Sequence, residues 1–215
     1  MSFGIPVIYD NGAQRLMNIG DVFARGQKLP VTNATAANLA ITPQMMLQEY
    51  ILRNPAGVSN ENLDTAANMI QAWGNGIAVQ AGLTFVLRWI VTTVQTLTVL
   101  ATANTGVNVT RPSIVGATFK EYLITVVNGS LAQTFAATTT NASAVVGGLT
   151  PAQCALLTPG MIVTNAVANL QGTTIIAVNI AAGTVTMSGN ANATNGAPGV
   201  AIAFSPVVNV DGLAP

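Results

Sequence analysis

Between Glu121 and Asp211 the sequence contains no Asp, Glu, Lys, Arg or His. Few folds tolerate so long a stretch with nothing ionisable on it, because soluble domains spend roughly a quarter of their residues on charge. A stretch inside it, "QGTTIIAVNIAAGTVTMSGNANAT" (171–194), shows what stands in for charge. Thr and Asn alternate with Ile, Val and Ala, and the chain turns over at Ala181–Ala182–Gly183. Hydroxyls and amides hydrogen-bond without carrying charge, so such a surface can be wetted yet also buried against a neighbour cheaply. An unpaired ion would cost several kcal/mol to bury.

The deficit extends to the whole chain: seven acids balance seven bases, 7% of 215 residues. A neutral, charge-poor surface has weak colloidal repulsion and favours association. The balance excludes a nucleic-acid partner, which needs clustered Lys and Arg. Histidine is absent and Cys154 is the sole cysteine, which excludes Cys–His nucleophile pairs, Cys/His zinc sites and internal disulfides. No Gly-rich phosphate loop with its Lys is present. Glu61 and Asp64, the closest carboxylates, precede a helix and read as capping groups. The expectation is a non-enzyme with no cofactor, metal or small-molecule substrate. "LTFVLRWIVTTVQTLTVLA" (83–101) carries Arg88 and Gln95 and alternates like a strand, so no membrane span is expected, nor does the N-terminus read as a signal peptide.

Residues 1–40 are expected to form an extended N-terminal arm, apolar at Ile5, Val7, Ile8, Leu16, Val22 and Phe23 and interrupted by Gly and Pro. Residues 41–135 hold two short helices and a first β unit. One helix is capped by Thr42 with Pro43 in its first turn and runs through Met46, Leu47, Tyr50 and Ile51 to Asn54–Pro55. The other is capped by Asp64, with Ala66, Met69, Ile70 and Trp73 on one side and Gly74 at its end. From residue 77 onward the period changes to two. Leu83, Phe85, Leu87, Trp89 and Val91 point one way, and Thr84, Val86, Arg88 and Ile90 the other. "ATFKEYLITVVNG" alternates likewise. "AATTTNASAVVGGLT" (136–150) is low-complexity and reads as a linker or an exposed loop, with the linker taken over 136–157. A second small β unit with a C-terminal tail follows over 158–215, with Ile176, Val178 and Ile180 on one face. The fold class is mainly β with a small α part: an antiparallel, jelly-roll-like sandwich plus the second unit.

Arg88, lying among Val86 and Ile90, needs a partner, and Glu121 is the intramolecular candidate; reaching solvent along its own stem is the alternative. Arg15, Arg25 and Lys28 are the arm positions expected to meet acidic groups on a partner.

Two segments carry a resemblance. The first is "ITPQMMLQEYILRNPAGVSNENLDTAANMIQAWGNG" with "GLTFVLRWIVTTVQTLTVLATANTGVNV" and "ATFKEYLITVVN". The second is "TPGMIVTNAVANLQGTTIIAVNIAAGTVTMSGNANATNGAPGVAIAFSP". Together they resemble structural proteins of tailed bacteriophage virions, especially the capsid decoration or cement class. That resemblance implies a homotrimer on the capsid exterior, made in the host cytoplasm, that bridges capsomers of the major capsid protein. It also implies extended arms lying on adjacent subunits. A tail or fibre component concerned with host attachment is the alternative.

Overall fold

The computed structural model describes residues 33–34, 38–48 and 50–213. The expected arm therefore lies almost wholly outside the described residues, as do Arg15, Arg25 and Lys28. The described residues are mainly β, with three short α-helices.

Strands up to Asn128 alternate between two sheets. Sheet I receives β1 (Asn33–Ala34), β3 (Tyr50–Arg53), β5 (Thr84–Val91), β7 (Val107–Thr110) and β9 (Phe119–Asn128). Sheet II receives β2 (Ala40–Ile41), β4 (Ser59–Leu63), β6 (Leu97–Leu100) and β8 (Ser113–Ile114). A chain that crosses to the other sheet and back returns in its original direction. This makes β1, β3 and β5 mutually parallel, and likewise β2, β4 and β6. The sandwich is therefore mixed where sequence periodicity suggested an antiparallel one, since a period of two identifies a strand but not its neighbour. Antiparallel pairing enters at β9, which lies against β5, and at β8.

Leu87, Trp89 and Val91 of β5 and Tyr122, Ile124 and Val126 of β9 are buried between the sheets, as the alternation predicts. Trp89 meets Tyr122 edge-on at 5.3 Å. Helix α2 (Ala66–Trp73) buries Ala66, Met69, Ile70 and Trp73 into the same core. Its cap is Thr65, whose Oγ1 accepts from the Asn68 amide at 3.2 Å, whereas Asp64 accepts from Thr65 N and Asn68 Nδ2. The Trp73 indole donates to Pro43 O at 2.9 Å, tying α2 to helix α1 (Pro43–Met46).

Helix α1 departs from expectation. Thr42 caps it and Pro43 starts it, but it ends at Met46, and Tyr50–Arg53 is strand β3. The Met46/Tyr50 and Leu47/Ile51 spacing fits a helix, but Ile51 and Arg53 point inward at a strand's period.

The region 136–157 is not a linker. It contains the second half of β10 (Gln133–Thr139), all of β11 (Val145–Gly147) and helix α3 (Pro151–Cys154). Ala137 and Thr139 are buried, so the composition that looked like low complexity is a closely paired strand with small inward residues. Sheet III runs β12 (Ile162–Val163), β15 (Asn195–Ser205), β10, β11, β14 (Thr184–Met187), β13 (Ile175–Asn179). A single 3-10 turn covers Val167–Asn169. Its core is separate, built from Val146, Cys154, Met161, Ile202 and Phe204 among others.

The chain then returns: β16 (Val207–Gly212) inserts between β9 and β7 of sheet I, with Val207 opposite Asn128. The C-terminal strand thus belongs to the first unit, and sheet III is an insertion whose ends meet on neighbouring strands. Asn128, 5% exposed, fastens this junction. Its Nδ2 donates to Thr158 Oγ1 and Pro159 O, both at 2.9 Å, and its Oδ1 accepts from Ser130 N. Gly106 allows β16 to close: its φ is +78°, and a Cβ there would lie 2.2 Å from Pro206 O.

The 171–194 hairpin forms as expected, with Ala182 N donating to Asn179 Oδ1 in its turn. Its facing differs. The pairing skips from Ile175↔Met187 to Ala177↔Thr186, so Ile176 bulges out and is 58% exposed, and Ile180 is exposed as well. One extra residue reverses the side-chain parity on its far side.

Candidate functional site

Two surfaces stand out among the described residues. The first is the outer face of sheet I. The residues of β5 and β9 that do not enter the core point outward, and the register lines them up in rows. Leu52 of β3, Ile90 of β5 and Phe119 of β9 form one row. Tyr50, Arg88 and Glu121 form the next. Val86, Leu123, Asp211 and Thr110 form a third. The β3–β5–β9 half carries exposed apolar side chains around its one ion pair, with Phe119 59%, Val86 47% and Val127 46% exposed. The β16–β7 half is polar and internally paired: Asn108 Nδ2 donates to Asn209 Oδ1 at 3.0 Å and Thr110 Oγ1 to Asp211 Oδ1 at 2.9 Å.

Arg88 sits in the middle of this face. Its Nε donates to Glu121 Oε1 at 3.1 Å, a second guanidinium nitrogen binds the same oxygen, and its carbon lies 5.0 Å from the Phe119 ring centre. The expected partner is therefore the observed one, while half of the arginine side chain remains solvated. A groove of about 580 Å³ runs beside Phe119, lined by Ile114, Val115, Thr118, Lys120 and Leu213 among others. Lys120 Nζ donates to Arg111 O and Ser113 O. Its pKa is lowered, first by burial and then by the Arg111 charge. Lys120, register partner of the buried Trp89, lies on the opposite side of β9 from Arg88, and its ammonium is held over the Tyr122 ring at 5.6 Å.

The second surface is that of the inserted unit, where Val145 of β11, Leu156 after α3, Ile176 of the edge strand β13 and Ile180 after it are exposed. Polar groups here are all neutral and largely bonded to backbone. Asn165 donates to Ala201 O at 2.7 Å and accepts from Ala203 N at 3.1 Å. Thr139 Oγ1 donates to Ala193 O, and the Asn141 amide donates to Thr194 Oγ1. Cys154 is fully buried, which pushes its thiol pKa up and makes it a poor nucleophile.

Sequence reasoning missed a third feature, a fully buried ion pair between the sheets. Arg53 of β3 donates to Glu61 of β4 through Nε and a terminal nitrogen, both at 2.9 Å. Ser59 Oγ donates to Glu61 Oε1 at 2.7 Å and accepts from the Asn38 amide at 3.0 Å. Glu61 is thus an inter-sheet clamp and not a helix cap. The available signal was the period-two spacing Ser59, Glu61, Leu63, hidden because two of its inward residues are polar. Among the described residues no three His, Cys, Asp or Glu side chains cluster as metal ligands, and no helix is long and apolar enough to cross a membrane.

Comparison with known proteins gives no family assignment: no family model matches the chain, and no curated protein or solved structure is significantly similar to it.

Proposed function

We propose that the protein is a structural subunit of a bacteriophage particle, a decoration (cement) protein that binds the capsid exterior as a homo-oligomer and bridges neighbouring capsomers. The observation that carries this reading is the inserted unit. A separately cored β domain without one ionisable residue on its strands or loops, apart from buried Cys154, exposes Val145, Leu156, Ile176 and Ile180. Such a surface loses little on being covered, because Thr and Asn side chains already bonded to backbone bring no charge to desolvate. A standard interface would cover about 800 Å² on each partner. The stabilisation is mechanical: every bridging contact must be lost before capsomers separate. The resemblance of the two quoted segments to tailed-phage virion proteins points to the same assignment.

The test compares particles with and without the protein for genome retention on heating and on osmotic shock. Loss at lower temperature and milder shock is expected of particles lacking it, and equal tolerance would reject the proposal. Labelling intact particles separates cement, spread over the shell, from a tail or fibre component confined to one vertex.

A further inference from the structure

We infer that the outer face of sheet I is a contact between two copies of this chain, which meet about a two-fold axis running along the β5–β9 ladder. The inference rests on the homo-oligomer of the proposed function and names one of its interfaces. Parallel sheets occur almost only where both faces are covered, and β3 and β5 pair in parallel. Their outward residues fit a covered face. Leu52, Val86 and Ile90 stand where a solvated face would carry polar side chains, yet among the described residues Val86 is exposed and the other two are only half-buried.

The register identifies a second copy as the cover. Outward residues of β5 and β9 stand opposite one another as Ile90–Phe119, Arg88–Glu121 and Val86–Leu123. In an isologous contact residue i meets j and j meets i. A two-fold axis between these strands therefore sets Ile90 on Phe119 of the other copy, Val86 on its Leu123 and Arg88 on its Glu121. The apolar rows meet apolar rows, the charged row meets its opposite sign, and no like charges face each other in these rows. The ion pair has bonding capacity to spare. Arg88 binds Glu121 through Nε and one terminal nitrogen, both to Oε1. Its other terminal nitrogen and Glu121 Oε2 have no bond among the described residues, and both side chains are partly solvated. Reciprocal bonds between copies would close a ring of four alternating charges. A second copy presents this pattern by symmetry alone. The six strands of the sheet span about 24 Å and the eight residues of β5 about 27 Å, an area of the same order as the roughly 800 Å² that a standard interface covers on each partner. A two-fold contact departs from the homotrimer that the resemblance implies.

The experiment compares full-length Arg88→Glu and Glu121→Arg with wild type by sedimentation equilibrium, each alone and the two mixed one to one. Alone, each variant sets like charges against each other across the axis and should dimerise more than about 100-fold more weakly than wild type. Mixed, each supplies the sign that the other lacks, and association should return to within about tenfold of wild type. An ion pair acting only within one chain cannot be repaired by mixing two chains. Fluorescence of Trp73 and Trp89, both in the sandwich core, reports whether each variant is folded. Val86→Lys, which charges an apolar row and leaves the ion pair in place, should also weaken dimerisation and carries the test if a charge-reversed chain does not fold. Variants that associate like wild type, or a mixture that associates no better than its components, would overturn the inference while leaving an oligomer through the inserted unit standing. A wild type that stays monomeric would overturn both.

Discussion

The two β units of this chain solve one problem with different materials. In the sandwich of sheets I and II, opposite charges do structural work: Arg53 and Glu61 clamp the sheets from inside, and Arg88 and Glu121 bridge β5 and β9 outside. The inserted unit of sheet III uses amides and hydroxyls alone, with Asn165 bonded to the backbone of both Ala201 and Ala203. The difference shows that a β core can be assembled without charge: hydroxyls and amides meet the hydrogen-bonding needs of sheet III by themselves. A unit that dispenses with charge has a surface suited to being covered.

The largest effect that would sharpen this contrast comes from the clamp. Glu61→Ala leaves the Arg53 guanidinium buried without its carboxylate and should cost about 3–5 kcal/mol. The double change Arg53→Met with Glu61→Leu should recover most of that loss. Both tryptophans, Trp73 and Trp89, lie in the sandwich core, so urea unfolding followed by tryptophan fluorescence reads that unit selectively. A Glu61→Ala midpoint close to wild type would show that the sandwich does not depend on its buried pair.

Alkaline pH should come next. Burial raises the pKa of Tyr122, whose hydroxyl donates to Pro112 O, above the ordinary tyrosine value of 10.0. The fold therefore favours the protonated form. Its contribution is complete below pH 10 and is lost as pH rises beyond it. The tryptophan-detected midpoint should fall in that range, and Tyr122→Phe should flatten the fall. In the inserted unit the only titrating group is Cys154, whose pKa is also raised by burial. Its stability should be constant through the acid and neutral range and decline only above the usual thiol value of 9.0. Amide exchange at pH 5 to 8, corrected for intrinsic rates, checks this. A pH-dependent loss of protection there would break the comparison.

Smaller effects test the neutral bonds against the exposed ion pair. Asn165→Ala removes two backbone bonds and should cost about 1–2 kcal/mol at any salt concentration. Arg88→Ala should cost less than about 1 kcal/mol and lose most of its effect in high salt, because that pair is half solvated. Measuring both variants at low and high salt checks the ranking. A salt-dependent Asn165 effect would contradict it.

Much of the fold was legible wherever one side of an element is consistently apolar. Helix α2 announced itself through Ala66, Met69, Ile70 and Trp73, and β5 and β9 through their period of two. Reading failed where parity or composition misled. Strand β4 turns Ser59 and Glu61 inward, β3 shares its apolar residues with an accidental helical spacing, and β10 buries Ala137 and Thr139 in a stretch that looks like linker. The bulge at Ile176 reverses a pattern otherwise correctly identified as strand. No local signal marks β16 as a return to sheet I, because that pairing is set by the meeting of Asn128 and Val207 across the insertion. Of the candidate surface, the Arg88–Glu121 pair was legible, whereas the rows around it depend on strand register.

The central claim is that this chain acts by being covered, its uncharged unit docking on copies of itself and a larger shell. Sedimentation equilibrium of the purified protein over a wide concentration range tests it most directly, with Ile176→Lys as the comparison. The account predicts a discrete oligomer that persists in high salt and shifts toward monomer when a charge is placed on the inserted unit. A wild-type chain that remains monomeric at every concentration would contradict it.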